Sequence, residues 1–214
     1  MGTFSTLTNG ITVLRIRVST MKVLLILATL LFLVQNTSAA LMSGFAARYY
    51  QDDGTTSAEP SIVPLSPTIT IGKKTVQMEV THLSDITSTP VNKDSSARWV
   101  CLHDDDDTNY WFISDNEMGA GLLTALVIAK DGIHNECAKT TEPVSVSVAN
   151  VPLLNATPRN LAELFGMKET AKKKAMLLYQ EKPVQNGFIQ SNTVAYYFDD
   201  EKVRGVIIGQ ITSN

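Results

Sequence analysis

Two stretches of the chain, Ile69 to Lys130 and Val151 to Thr212, run through the same order of apolar and polar positions. Each opens on a short apolar segment, Ile69-Thr-Ile71-Gly72 and Val151-Pro-Leu153-Leu154, and continues into a Thr-led stretch. In the second half that stretch is Thr157-Pro158-Arg-Asn-Leu161-Ala-Glu-Leu164-Phe165-Gly166. A capping Thr, Pro at the first helical position, apolar residues at helical spacing and a closing Gly predict a short helix. Its counterpart, Thr75 to Ser84, has Val76, Val80 and Leu83 on one helical face, but Val76, Met78 and Val80 also fit a strand. Its place in the repeat favours a helix. Three apolar runs of strand length follow in each half: 97–102, 110–115 and 123–128, then 174–179, 195–200 and 203–208. The order predicts an α+β chain of two helix-plus-three-stranded antiparallel meander units in tandem, residues 69–140 and 141–214, each helix packed on its own sheet. Trp99, Phe112, Leu126 and Ile128 are expected in one core, and Leu161, Phe165, Tyr197, Val206 and Ile208 in the other. A lead-in segment, 41–68, has room for one short helix over 41–50.

The helix ending in Leu164-Phe165-Gly166, and the later Tyr196-Tyr-Phe-Asp-Asp-Glu-Lys-Val203-Arg-Gly-Val206, resemble the SmpA/OmlA (BamE-like) periplasmic fold. That family has a helix closing on an apolar-Gly turn, then a meander with an aromatic strand, an acidic turn and an apolar strand. The resemblance implies a periplasmic α+β module and, as an alternative function, an envelope-assembly scaffold. The chain departs from the pattern in being doubled and in lacking the family's lipid-anchoring Cys.

Ahead of these units, Met21-Lys22 precedes twelve apolar or small residues, Val23 to Val34, and then Thr37, Ser38, Ala39 and Ala40. A basic start, a short apolar run and small residues at its end read as a cleavable secretory signal over 21–40, with residues 1–20 an upstream start artefact. Twelve residues fall short of the ~20 that a membrane span needs. The expected mature chain is therefore periplasmic, soluble and without a stable membrane anchor. Removing 1–40 takes away Arg15, Arg17 and Lys22 and no acid, so the formal charge moves from -3 to -6. An acidic chain with no Lys/Arg surplus does not suit nucleic acid or an anionic membrane surface. Export also changes the meaning of the two Cys: in an oxidising compartment, Cys101 and Cys137 are expected to be joined.

The search for chemistry finds little. The chain carries no nucleophile-elbow Gly-x-Ser-x-Gly, no zinc-binding His-Glu-x-x-His, no phosphate loop and no dinucleotide fingerprint. His82, His103 and His134 lie in unlike contexts, so no catalytic residue, metal site or cofactor is assigned. Asp115 and Glu117 have the residue types of a glycosidase acid/base pair, but acids recur in the matching turn at Asp199, Asp200 and Glu201. That recurrence favours turn closure. The most unusual feature is His103-Asp104-Asp105-Asp106-Asp107-Thr108-Asn109, between two predicted strands. Four adjacent carboxylates lack the alternating ligands, central Gly and distal Glu of a calcium loop. They suit solvent or a basic partner, with Tyr110 and Trp111 beside them as apolar anchors if these point outward. The expected function is a non-catalytic protein-binding module, an immunity or inhibitor protein that neutralises an envelope-acting toxin or lytic enzyme with a basic cleft. The alternatives are the assembly scaffold and a hydrolase without a readable motif.

Overall fold

The computed structural model describes residues 41–51, 58–167 and 174–214; the start-site and signal expectations for 1–40 lie outside them. The chain runs through a 3-10 helix (Gly44–Tyr50), β1 (Ala58–Pro60), β2 (Thr68–Ile71), β3 (Lys74–Val76), α1 (Leu83–Ile86), β4 (Asn92–Lys93) and β5 (Ala97–His103). It continues with β6 (Asn109–Asp115), β7 (Ala125–Ala129), β8 (Cys137–Lys139), β9 (Val144–Ser147), α2 (Pro158–Phe165), β10 (Ala175–Pro183), β11 (Ile189–Asp199) and β12 (Lys202–Ser213).

The expected tandem of helix-plus-meander units is corrected by the strand pairing. The six strands foreseen are present as β5–β6–β7 and β10–β11–β12, but β12 bonds antiparallel to β7, Gly205–Gly209 against Ala129–Ala125. One nine-stranded mixed sheet results, in the order β1-β10-β11-β12-β7-β6-β5-β4, with β8 also on β5. The physical reason lies in β7, whose five residues Ala-Leu-Val-Ile-Ala are all buried. A strand apolar on both faces belongs inside a sheet covered on both sides, not at the edge of a separate unit.

The first-half helix is the second correction. Thr75–Ser84 begins in β3, which forms a hairpin with β2 through Gly72 and Lys73, Gly72 at φ 56°. Val76 and Met78 are buried with Gln77 exposed between them, so strand alternation wins over helical spacing. Glu79, at φ 57°, ends the extended run, and only Leu83–Ile86 is helical. The division drawn at 140/141 is crossed as well, because β9 pairs with β2 to complete a small antiparallel sheet, β3-β2-β9.

That small sheet, with α1 and α2, covers one face of the large sheet. Ile69, Val76, Leu83 and Leu161 meet Val100, Phe112, Leu126, Tyr196, Val206 and Ile208 there. The opposite face carries Trp99, Cys101, Trp111, Ile113, Val127 and Tyr197 beneath Met42, Phe45 and Ala46. Trp99 and Phe112 therefore lie in different cores, contrary to expectation. Trp99 pairs with Ile113 and Val100 with Phe112, and adjacent residues of a strand point to opposite faces. Phe165, expected in a core with Tyr197, packs on the rim of the first cluster.

Three local devices secure this frame. Helix α2 has the predicted start: the Thr157 side chain accepts from Asn160 N, Asn160 reciprocates, and Gly166 closes it at φ 64°. Cys101 and Cys137, register partners on β5 and β8, form a disulfide. Beyond Gly209, where β12 leaves β7, Glu79 takes over as acceptor for Thr212 N at 2.6 Å and Thr212 Oγ1 at 2.8 Å.

Candidate functional site

The acidic run forms the turn between β5 and β6, and its four carboxylates do different jobs. Asp104 faces inward: Oδ1 accepts Asp106 N at 2.9 Å and Thr108 N at 3.0 Å, and Oδ2 accepts the Tyr110 hydroxyl at 3.1 Å. Burial, then the Asp104 charge and hydrogen bond, push the Tyr110 hydroxyl well above its usual pKa, so it stays a donor. Asp107 occupies the left-handed region at φ 58° that lets the turn close. Outside the turn, Asp105 meets Lys139 Nζ at 3.0 Å, while Asp107 lies 3.8 Å from His103 Nε2. The Asp105 and Asp107 side chains are 75% and 82% exposed, which leaves their charges largely in water.

The two aromatic residues do not stand beside these charges as outward anchors. Trp111 is fully buried on one face of the sheet, and Tyr110, 8% exposed, lies on the other. The alternation of β6 sends one ring into each core. The exposed carboxylates at this end are thus those of Asp105, Asp106 and Asp107, with Asp104 as their scaffold. Among the described residues, no group of three or more His, Cys, Asp or Glu side chains is arranged to hold a metal ion.

A second polar cluster, which sequence reasoning did not single out, fastens the segment Ser43–Tyr50 to the tryptophan face. Glu136 accepts Ser43 N at 2.8 Å, Ser43 Oγ at 2.7 Å, Trp99 Nε1 at 2.9 Å and Trp111 Nε1 at 3.1 Å. Asp131 accepts Phe45 N at 2.6 Å and Asn109 Nδ2 at 2.9 Å. Further along, Tyr49 donates to Asp115 and Tyr50 to Asp94. Burial of Glu136 alone would raise its pKa, but the hydrogen bonds from Ser43, Trp99 and Trp111 outweigh it and hold the carboxyl below the usual range. Asp94 is likewise held low against its burial, by Tyr50 and the Ala97 and Ser96 amides.

Within this cluster Ser43 Oγ lies 3.0 Å from His134 Nδ1, and His134 Nε2 lies 3.0 Å from Asp131 Oδ2. The residue types are those of a nucleophilic triad; the surroundings are not. Glu136 competes with His134 for the single hydroxyl proton of Ser43, from a shorter distance. The backbone N–H groups of Ser43 and Phe45, which an oxyanion hole would need free, already bond carboxylates. Gly44 lies against the ring: a Cβ there would come within 2.3 Å of His134 Cε1. The cluster is built to hold a strap. Asp115 is engaged in the same way, its Oδ1 accepting the Glu117 and Met118 amides, which gives it the turn-closing role that the recurrence of acids favours.

The sequence signal for this cluster was faint. Asp131, His134 and Glu136 lie within six positions just before Cys137, but their partners are some 90 residues away in the lead-in. Comparison with known proteins finds no matching family model, no matching curated protein and no matching solved structure.

Proposed function

We propose that this chain is an exported, non-catalytic protein-binding module that presents the β5–β6 turn to a basic cleft on its partner, as an immunity or inhibitor protein neutralising an envelope-acting toxin or lytic enzyme. The observation that carries the reading is the division of labour in the turn: Asp104 is consumed internally, and its bonds to Asp106 N, Thr108 N and Tyr110 hold the neighbouring carboxylates on a rigid mount. A preordered charged loop loses little conformational entropy on binding and speeds encounter with an opposite charge. Two further observations support it. The acids best placed for chemistry, Asp94, Asp115, Asp131 and Glu136, each accept a donor from the strap. A disulfide suits an oxidising compartment, and no helix among the described residues is long and apolar enough to cross a membrane. The periplasm is the compartment that fits the signal-like stretch 21–40.

The test replaces Asp105, Asp106 and Asp107 together by Asn and keeps Asp104, so the turn retains its internal bonds. Binding is measured to the product of the adjacent gene, or to a protein recovered from envelope extract with the wild-type chain. Association with the variant is expected to slow by about tenfold at low salt, with the difference shrinking as salt screens the field. Equal affinity and equal salt dependence would remove the turn from the mechanism.

A further inference from the structure

The strap that covers the tryptophan face stops short of the far end of that face. Beyond it lies an open cleft of about 310 Å³, bounded by the C-terminal end of the 3-10 helix and by the faces of β11, β12 and β7. Its floor follows from the sheet register. Thr193 pairs with Gly209, which pairs in turn with Ala125, and Ala195 pairs with Ile207. Gly205, four residues before Gly209 on the same strand face, is filled by the strap: a Cβ there would lie 2.4 Å from the Phe45 ring. At Gly209 the only close neighbour of such a Cβ among the described residues is Thr193 Oγ1, at 2.7 Å. The same absence of a side chain thus seats Phe45 at one position and leaves a depression at the other.

Among the described residues, Arg48 is the only charged one lining this cleft. Its guanidinium lies 4.9 Å from the Tyr197 ring centroid and 5.9 Å from that of Phe45. Stacking on two rings holds a planar cation in place without using up its N–H groups, and Arg48 has no carboxylate partner among the described residues. The remaining lining combines apolar surface from Ala195, Ile207 and Ile211 with the hydroxyls of Ser191 and Thr193. A guanidinium stacked on two rings, with no carboxylate partner among the described residues and at the edge of a mainly apolar hollow, selects a ligand with one acid group and an apolar body. The volume lies at the low end of ligand pockets, which run to roughly 300–1,000 Å³.

We infer that this cleft is a binding site for a small organic carboxylate, its acid group on Arg48 and its apolar body over Ala195, Ile207 and Gly209. The site shares no residue with the acidic turn and stands whether or not that turn binds a partner.

The probe is octanoate, with octanol as the uncharged control, added to the full mature chain. Amide chemical shifts report where each binds and how tightly. Saturable shifts centred on Thr193 and Gly209 are expected, with a Kd on the order of 1 mM or tighter for octanoate, and weaker binding of octanol. Arg48→Gln is expected to weaken octanoate by about tenfold and leave octanol unchanged, because only the charged contact is lost. Gly209→Ala, which keeps Arg48 and works from the cleft floor, is expected to weaken both ligands. Absence of saturable shifts up to about 10 mM, shifts centred elsewhere, or an octanoate preference that survives Arg48→Gln in protein with wild-type dispersion would overturn the assignment.

Discussion

Glu136 illustrates how much one side chain can hold. Its carboxylate gathers a backbone amide, a hydroxyl and two indole N–H groups, from the strap and from two strands. Replacing it by Gln keeps the shape but sets an amide N–H₂ against those donors. Glu136→Gln is therefore expected to cost about 1–3 kcal/mol in urea unfolding at neutral pH. The carboxyl's folded pKa lies below its ordinary value of 4.5, and that of Asp94 below 3.8. Depressed acids stabilise the fold above the ordinary value, and the contribution is lost as pH falls through the folded values. The wild-type urea midpoint should decline on acidification below about pH 4.5, and Glu136→Gln should flatten part of that decline. A variant whose midpoint falls in parallel with wild type would remove Glu136 from the acid response. None of this was legible from the residue itself, since an isolated Glu two residues after Gly132-Ile-His134 resembles any loop acid. The Asp104–Asp107 run was legible as a turn because four consecutive carboxylates cannot enter a core, but nothing local said that Asp104 would face inward.

At the scale of elements, the strap and β12 are fitted to each other through an absence. Phe45 packs edge-on to Tyr197, with centroids 5.5 Å apart, and lies where a Gly205 side chain would stand. Gly205→Ala should cost about 1–3 kcal/mol by overpacking, while Phe45→Ala should cost about 3–5 kcal/mol by leaving a cavity. In a double-mutant cycle the Gly205→Ala penalty should nearly vanish in the Phe45→Ala background, because the clashing ring is gone. Additive penalties would show that the two positions do not meet. The disulfide acts at the same scale, since it holds β8 on β5 and with it the neighbouring Glu136. Replacing both Cys by Ala should lower stability by roughly 4 kcal/mol in the loop-entropy account, measured by urea unfolding against the oxidised wild type. Elements with their own local signal were placed by it: α2 from its Thr-Pro start and closing Gly, and β5 and β6 from runs of strand formers, while β10 and β11 were located but run longer than expected, to Pro183 and from Ile189. The segment 75–84 was misread because both periods fit it, and the deciding contacts, Val76 and Met78 against the core, come from other parts of the chain.

For the whole molecule, the antiparallel bond between β7 and β12 makes one folding unit of what reads as two. Calorimetric and van't Hoff enthalpies should therefore agree in a single transition, and a fragment comprising 141–214 should not fold alone, because its β12 would expose the edge that β7 covers. Two separable transitions would restore the tandem picture. The amino-acid sequence by itself determined the six strands β5, β6, β7, β10, β11 and β12, the capped helix, the acidic turn and the cysteine pairing. Each of these follows from side-chain period, backbone-restricted residues at turns, or the chemistry of two thiols in a chain whose residues 21–40 read as an export signal. Only the tertiary structure decided which strands are neighbours, which face each aromatic ring takes, and where Ser43, Asp131, His134 and Glu136 meet. Strand alternation divides a sequence into two faces without saying what covers either, and backbone hydrogen bonds between strands carry no residue identity. Choosing β12 as the neighbour of β7, and the lead-in as the cover of the tryptophan face, required burying two apolar faces at once. That condition is satisfied by the folded chain as a whole.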